Sequence, residues 1–575
     1  MIRMNPSGLR SGWMGRGVAL LKSFGPYALL EFVLPGGTLF ALLFWLYRHR
    51  GELQETGAAG RALSRLRGWV KWIKPRTLAV SFAGTLAAGC TLGPNFVKPE
   101  APESAYTHSI PPPGGAQNFA YGGQVAGDWY RLFRSAALDQ LVREALTNSP
   151  DLDAARHGLA AAQDELKAVS GAELPQIDAG GQIGRAHING SELYAPVNAI
   201  NATGNRYEIG PTLAYNLDLF GGLRRSIESQ RAQTLGVSDQ LRDTYVTLVD
   251  QVVITAFDYA AVQAQIRVTR SLAGELQAQY DLTAQLEDAG KVIHSDTLQA
   301  QTQLENVRAT LPGLEQQRDA YRDALARLTG QTPDGFRMPA LTLADFTLPG
   351  RLPVSVPSAL VEQRPDVLAA QESLHAASAE IGVAEAARLP QLSLSAQYAQ
   401  QTTSLSDLFT RPGGVWSAGL GVAAPLFHGG TLAAREDEAK QRYAQAVATY
   451  RGTVIGAFVD VADALQALQH DADSYTAHNR ALEDARANQD LAVAEYRAGK
   501  YTELQVLTAE QQYQNAALTQ VQADAERFTD TAALFRALGG GWWDVADRAP
   551  LSAAATDSSN SDNTHPTPSG SSSHD

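Results

Sequence analysis

Cysteine is almost absent from this chain of 575 residues: only Cys90 is present. A single cysteine excludes an internal disulfide, a cysteine-built metal centre and a CxxC redox pair. Proline is missing from two long stretches, between Pro211 and Pro312 and between Pro425 and Pro550. Such stretches are free to run as uninterrupted helix. Signatures of catalysis are missing as well. The sequence holds no Walker A run, no HExxH helix and no GxSxG elbow, and its 11 histidines are scattered. Nothing nominates an enzyme, a cofactor or a metal. Basic charge is scarce in the body of the chain. Before Cys90 there are 12 Lys and Arg against 3 Asp and Glu; from Cys90 onward there are 35 against 57. A body of net charge −22 does not suit nucleic acid, whose phosphates need a basic surface.

The lone cysteine stands at the end of a leader. Lys71, Lys74 and Arg76 form a positive segment, Leu78 to Leu86 a short apolar one, and Ala87, Ala88 and Gly89 a small-residue approach to Cys90. This is the anatomy of a secretory signal over residues 71–89. Residues 1–70 do not fit it. They contain an apolar run at 27–47, long enough to span a bilayer but broken by Glu31, Pro35 and Gly36-Gly37. That segment is expected to be an upstream or mis-called extension, with Val70 a natural alternative start. The far end, 541–575, is rich in Ser, Asp, Asn, Thr and Pro, buries no core and is expected to be disordered.

Between these ends the chain repeats one plan. Leu174-Pro175-Gln176 recurs as Leu389-Pro390-Gln391, and Ala289-Gly290-Lys291 as Ala498-Gly499-Lys500. Each copy, 174–330 and 389–540, is expected to hold two strands followed by a helical hairpin. Residues 90–173 supply an amino-terminal segment and the first helices, and 331–388 a connecting segment and helix. The strands alternate with period two. Tyr207, Ile209, Pro211, Leu213, Tyr215, Leu217 and Leu219 are interleaved with Glu208, Gly210, Thr212, Ala214, Asn216 and Asp218; Trp416, Ala418, Leu420, Val422 and Ala424 likewise alternate with Ser417, Gly419 and Gly421. Either a half-buried soluble sheet or a membrane barrel has this pattern.

The proline-free stretches carry coiled-coil seams. Leu241, Tyr245, Leu248, Val252, Thr255, Tyr259, Val262 and Ile266 follow a 4-3 spacing, as do Val454, Phe458, Val461, Leu465 and Leu468. A helix from Leu223 to about Asp288 is on the order of 100 Å long at ~1.5 Å per residue. It is too polar to cross lipid and must stand in water against neighbours. Gly290-Lys291 and Gly499-Lys500 interrupt the two stretches at equivalent places, which predicts a helical C-cap and a hairpin tip at each.

Several of these pieces together resemble the TolC-like outer-membrane factors, in particular the lipidated OprM/NodT type. Leu86-Ala87-Ala88-Gly89-Cys90 is similar to a bacterial lipobox, and Cys90-Thr91-Leu92-Gly93-Pro94-Asn95-Phe96 to the mature amino terminus of that group. Trp129 with Phe133, Leu138 and Leu141 resembles its first helix entry, Gln363-Arg364-Pro365-Asp366 its mid-chain signature, and Tyr496-Arg497-Ala498-Gly499-Lys500 its second tip.

The resemblance implies a mostly α fold with a β-barrel. Three chains, as a homotrimer, would each give four strands to one 12-stranded outer-membrane barrel, continued by a long α-helical coiled-coil periplasmic tunnel. It implies lipid on Cys90, and docking of a periplasmic adaptor (membrane fusion) protein at Gly290, Lys291, Gly499 and Lys500. An inner-membrane RND- or MFS-type transporter would supply the cargo. The closed periplasmic aperture would fall at Leu504, Gln505, Thr508 and Gln511. The family's usual aspartate at the aperture is replaced here by Thr508, so a carboxylate ring is not expected; Glu503 and Glu510 are the nearby acids. The expected function is the exit duct of a tripartite efflux system. A type I secretion channel and a lipid-anchored coiled-coil scaffold are the alternatives.

Overall fold

The computed structural model describes residues 91–100, 117–188, 202–355, 357–410 and 413–542. The upstream segment, the signal peptide, Cys90 and the tail beyond Trp542 lie outside them.

Among the described residues the chain opens with a short strand, β1 (Asn118–Tyr121), a 3-10 turn (Trp129–Phe133) and two helices, α1 (Ala136–Asn148) and α2 (Pro150–Gly171). Ser135 caps α1 by accepting from the Leu138 amide at 3.4 Å. Pro150 starts α2 in the first turn, where a missing N–H costs nothing, with Asp151 and Asp153 favouring the positive end of the dipole. Strands β2 (Gln176–Ile188) and β3 (Ala202–Leu217) follow, then α3 (Gly222–Asp288) and α4 (His294–Leu328). A connecting segment contains β4 (Arg351–Val354), α5 (Pro357–Gln363) and α6 (Pro365–Ala386). The second copy repeats the first: β5 (Gln391–Thr402), β6 (Gly414–Ala423), α7 (Thr431–Arg497) and α8 (Glu503–Ala537).

The four long helices match in pairs. Helices α3 and α7 have 67 residues each, and α4 and α8 have 35 each. The seam of α3 is buried at Leu248, Val252, Tyr259, Val262 and Ile266; that of α7 is buried at Val454, Phe458, Val461, Leu465 and Leu468. Helix α4 runs on through Pro312, where α8 has no proline. Gly541 and Trp542, the first two residues of the expected tail, are among the described residues. Trp542 is placed, donating from its indole nitrogen to Gln363 O at 2.6 Å with the Arg242 guanidinium 4.3 Å from its ring centre.

Where the middle of α3 meets the end of α8 sits an aromatic core. Phe133 and Phe257 are 4.9 Å apart, Phe257 and Phe346 4.8 Å, and Trp129 and Phe535 5.2 Å, most of them in edge or tilted geometry. Phe528 completes the cluster. These side chains come from the 3-10 turn, α3, the connecting segment and α8. Each such ring, fully buried, contributes about 1.5–3 kcal/mol, so the cluster ties the start, middle and end of the chain at one level. The proline-containing segment 331–350 is part of this core through Phe336, Leu341, Leu343 and Phe346. Strand β4 pairs in parallel with β1, and its Leu352 and Val354 are buried in the same core.

The larger sheet has the order β2-β3-β5-β6 and is antiparallel throughout. Its register places like with like. Ile177 lies opposite Leu213, Leu213 opposite Ala396, and Ala396 opposite Ala418; Tyr215, Leu394 and Leu420 form the next row. The adjacent row through Thr212 holds Asp178, Thr212, Gln397 and Ser417. Because directly opposed residues share a face, one side of the sheet is apolar across all four strands and the other polar or small. The apolar side is uncovered: Ile183, Trp416 and Val422 are 74%, 74% and 69% exposed. On the polar side Arg206 pairs with Glu208, which also accepts from Gln397 at 2.7 Å. The outer edges of β2 and β6 have no partner strand among the described residues.

Candidate functional site

Three places carry the residues singled out by sequence: the hairpin tips, the helix turns just beyond them, and the strap that follows Cys90.

The two tips are the same structure made twice. At the end of α3 the Lys291 amide donates to Leu286 O at 2.8 Å and the Gly290 amide to Glu287 O at 2.7 Å. At the end of α7 the Lys500 amide donates to Glu495 O at 2.9 Å and the Gly499 amide to Tyr496 O at 2.8 Å. This is the Schellman pattern, which needs a left-handed residue after the last helical turn. Gly290 and Gly499 supply it with φ of 69° and 74°. A side chain at either glycine would meet open space, so backbone conformation alone selects the residue. Lys291 and Lys500 are exposed, and Lys500 pairs with Glu495 at 2.9 Å. Helices α3 and α4, and α7 and α8, then lie side by side as two hairpins.

Just beyond the tips, α4 and α8 border a shallow groove of about 420 Å³. Ser295, Leu298, Gln299, Thr302 and Gln303 line it from α4, and Leu504, Leu507, Thr508 and Gln511 from α8. No lining side chain is ionisable. Leu504 is 66% exposed, an unusual position for a leucine unless something else covers it. The structure therefore brings Leu504, Thr508 and Gln511 together and adds Leu507 and five α4 residues to them. It does not bring Gln505 into the groove. Gln505 turns back to cap its own helix, accepting from the Thr502 amide at 2.7 Å. A Thr-x-x-Gln capping box is legible in the sequence and predicts this placement. Glu503 and Glu510 are also absent from the groove: both are buried on a neighbouring face of α8. Gln279 donates to Glu503 at 2.9 Å.

Behind Cys90, the strap is fixed to the foot of the sheet. The Leu92 amide donates to Phe220 O at 3.1 Å. Arg225, 3% exposed, donates to Leu92 O at 2.8 Å, to Gly93 O at 3.2 Å and to Asn95 Oδ1 at 2.9 Å, and pairs with Glu228 at 2.7 Å. Phe96 stacks on His375 of α6 at 4.4 Å. A Cβ on Gly221 would fall 2.8 Å from Thr91, so glycine there admits the strap. Thr91 thus lies where β3 passes into α3. Sequence reasoning missed Arg225, because its partners lie about 130 positions away in the chain.

No group of His, Cys, Asp or Glu among the described residues is arranged to hold a metal ion. The geometry provides a surface for lipid, a long water-standing helical stalk and two equivalent tips.

Comparison with known proteins bears on this geometry. The family described as outer membrane efflux protein matches residues 141–331 and 356–540. The chain is 30% identical over 442 residues to the pyoverdine export outer membrane protein OpmQ of Pseudomonas putida, covering 76% of this chain and 93% of that one. It is 27% identical to SilC of Salmonella typhimurium, described as a probable outer membrane lipoprotein, over 82% of this chain and 99% of SilC. Among solved structures, the outer-membrane channel OprN superposes with a TM-score of 0.69 at 28% identity, over 79% of this chain and all of OprN. The fold is theirs, and its four barrel strands and two helical hairpins divide between outer membrane and periplasm. The chain belongs to the outer membrane efflux protein family and is an outer-membrane channel of efflux transport.

Proposed function

We propose that three copies of the chain close one 12-stranded barrel and form the exit duct of a tripartite system. The observation that carries this reading is the four-stranded sheet: apolar on one uncovered face, polar on the other, with two free edges. Free backbone edges are not tolerated in lipid, and four strands do not close by themselves. Three equal contributions give 12 strands, and the polar face then lines a water-filled lumen.

The tips are the sites at which a periplasmic adaptor docks. Gly290-Lys291 and Gly499-Lys500 present two chemically alike surfaces, each a tight turn carrying an exposed lysine. An adaptor there would link the duct to an inner-membrane transporter of RND or MFS type. Leu504, Thr508 and Gln511, with Leu298 and Gln299 across the groove, make the periplasmic aperture. With no ionisable group in the lining, closure rests on apolar packing and neutral hydrogen bonds and depends little on salt. The neutral lining also offers no cage for a particular cargo, which leaves selection to the transporter. Cys90, next in the chain to the strapped Thr91, is the acylated residue. Its lipid would enter the bilayer at the periplasmic foot of the barrel.

The aperture and docking sites are tested together. Leu504→Ser is expected to raise single-channel conductance in planar bilayers and to sensitise cells to large antibiotics such as vancomycin. Gly499→Leu meets no neighbour, and its left-handed backbone costs only about 1–2 kcal/mol. Trimers should therefore reach the outer membrane while efflux is lost. Normal efflux by the Gly499 variant would remove the docking site, and unchanged conductance of Leu504→Ser the aperture.

A further inference from the structure

Near the tips, on the buried face of α8 beside the groove, is a set of acids that do not line it. Glu503 and Glu510 are 6% and 4% exposed and stand two turns apart on α8. Glu503 accepts from Gln279 at 2.9 Å and from Thr283 at 3.5 Å, both on α3. Its other oxygen, and Oε2 of Glu510, have no hydrogen-bond partner. From α3 the acid Glu275 acts on Glu510, and Gln489 of α7 donates to Glu275 at 3.4 Å. From α7 Tyr496 faces Glu503, and its hydroxyl is pushed up to about 12 by burial, by Glu503 and by Asp296 of α4. The charges acting on Glu510 are Glu503 and Glu275, with no lysine or arginine among them. Two carboxylates, Glu503 and Glu510, are buried here without a cation, and the exposed Glu275 adds a further negative charge, so a charge on Glu510 is costly.

We infer that this cluster is a proton-held latch between the two hairpins: a proton on Glu510 keeps α8 packed on α3, and its loss loosens that contact and frees the tip. Burial, then Glu503 and Glu275, raise the Glu510 carboxyl to about 7 from its ordinary value of 4.5. The packed state therefore holds a proton that a hydrated glutamate would release. Packing is firmest at and below about pH 4.5, weakens as pH rises toward 7, and does not weaken further above it. The latch rests on the reading of the tips as the closable end of the duct.

Planar-bilayer recordings from pH 4.5 to 8 on the wild-type channel, E510Q, E275Q and Leu504→Ser test it. The wild-type ratio of open to closed time should climb by up to about tenfold per pH unit between about 5 and 7, then level off. E510Q keeps the shape and hydrogen-bonding capacity of the side chain without the titration, and should stay flat at the acid-side value. E275Q removes one facing charge and should displace the wild-type midpoint to lower pH; it serves if E510Q does not assemble. A flat wild-type profile, a wild-type slope in E510Q or an unmoved midpoint in E275Q overturns the latch. If Leu504→Ser still raises conductance in that event, the latch alone has failed. If Leu504→Ser changes nothing, the aperture has been placed wrongly.

Discussion

At the scale of single residues, the amino terminus shows how a local signal and a distant contact cooperate. A processing signal is a linear word, so the one expected ahead of Cys90 is legible in sequence. What fixes the residues after it is Arg225, through three acceptors on the strap and Glu228. Truncating Arg225 would leave those carbonyls without their donor in a partly buried site. The strap also fixes where the lipid would emerge, one residue from the β3–α3 junction. Mass spectrometry of membrane-extracted protein should show a diacylated or triacylated peptide beginning at Cys90. An unmodified Cys90 inside a longer peptide would refute the anchor. Gln505 carries the opposite lesson. The family resemblance placed it at the aperture with Leu504 and Thr508, but a side chain at the third position of a helix has a nearer claim from the unpaired amide of the cap residue, Thr502. Local hydrogen bonding decided its place.

At the scale of elements, the sheet makes the sharpest prediction. Leu213 and Thr212 are neighbours on β3 that point to opposite faces, opposite Ile177 and Ala396 on one side and Asp178 and Gln397 on the other. Leu213→Lys should destabilise the barrel by about 2–4 kcal/mol near the bilayer midplane and less toward the interface, whereas Thr212→Lys should be tolerated. Urea unfolding of the two variants in lipid vesicles measures the difference, and equal stabilities would contradict a lipid-facing Leu213. This alternation is legible in the amino-acid order, as are the seams of α3 and α7, because period two and period 3.5 survive in a single sequence. Strand β3 nevertheless starts at Ala202, five residues before the alternation from Tyr207 suggests, since Thr203, Gly204 and Asn205 carry no apolar phase. Strands β1 and β4 are not legible. Four residues each, NFAY and RLPV, are too short to show a period, and their pairing spans more than two hundred positions. The groove is half legible: α8 contributes recognisable residues after Gly499, while the α4 side emerges only where the hairpins lie beside each other.

For the molecule as a whole, the sheet edges and the apolar face demand neighbours. Purified protein should migrate as a three-chain species in mild detergent and on unheated gels, and collapse to the single-chain position on boiling. A monomer that stays dispersed without lipid or detergent would exclude the barrel. The paired helix lengths have a further consequence. Each chain reaches the far end twice, by α3 with α4 and by α7 with α8, and the pairs are equal at 67 and 35 residues. Deleting one residue from a single arm would draw its tip back by about 1.5 Å and turn everything beyond by about 100°. The seam would leave its partner, and the two tips would no longer end level. A change in tunnel length must therefore come in whole heptads and in all four helices at once. The protein behaves as a gauge whose two scales check each other, and its reach across the periplasm is among the properties least open to gradual change.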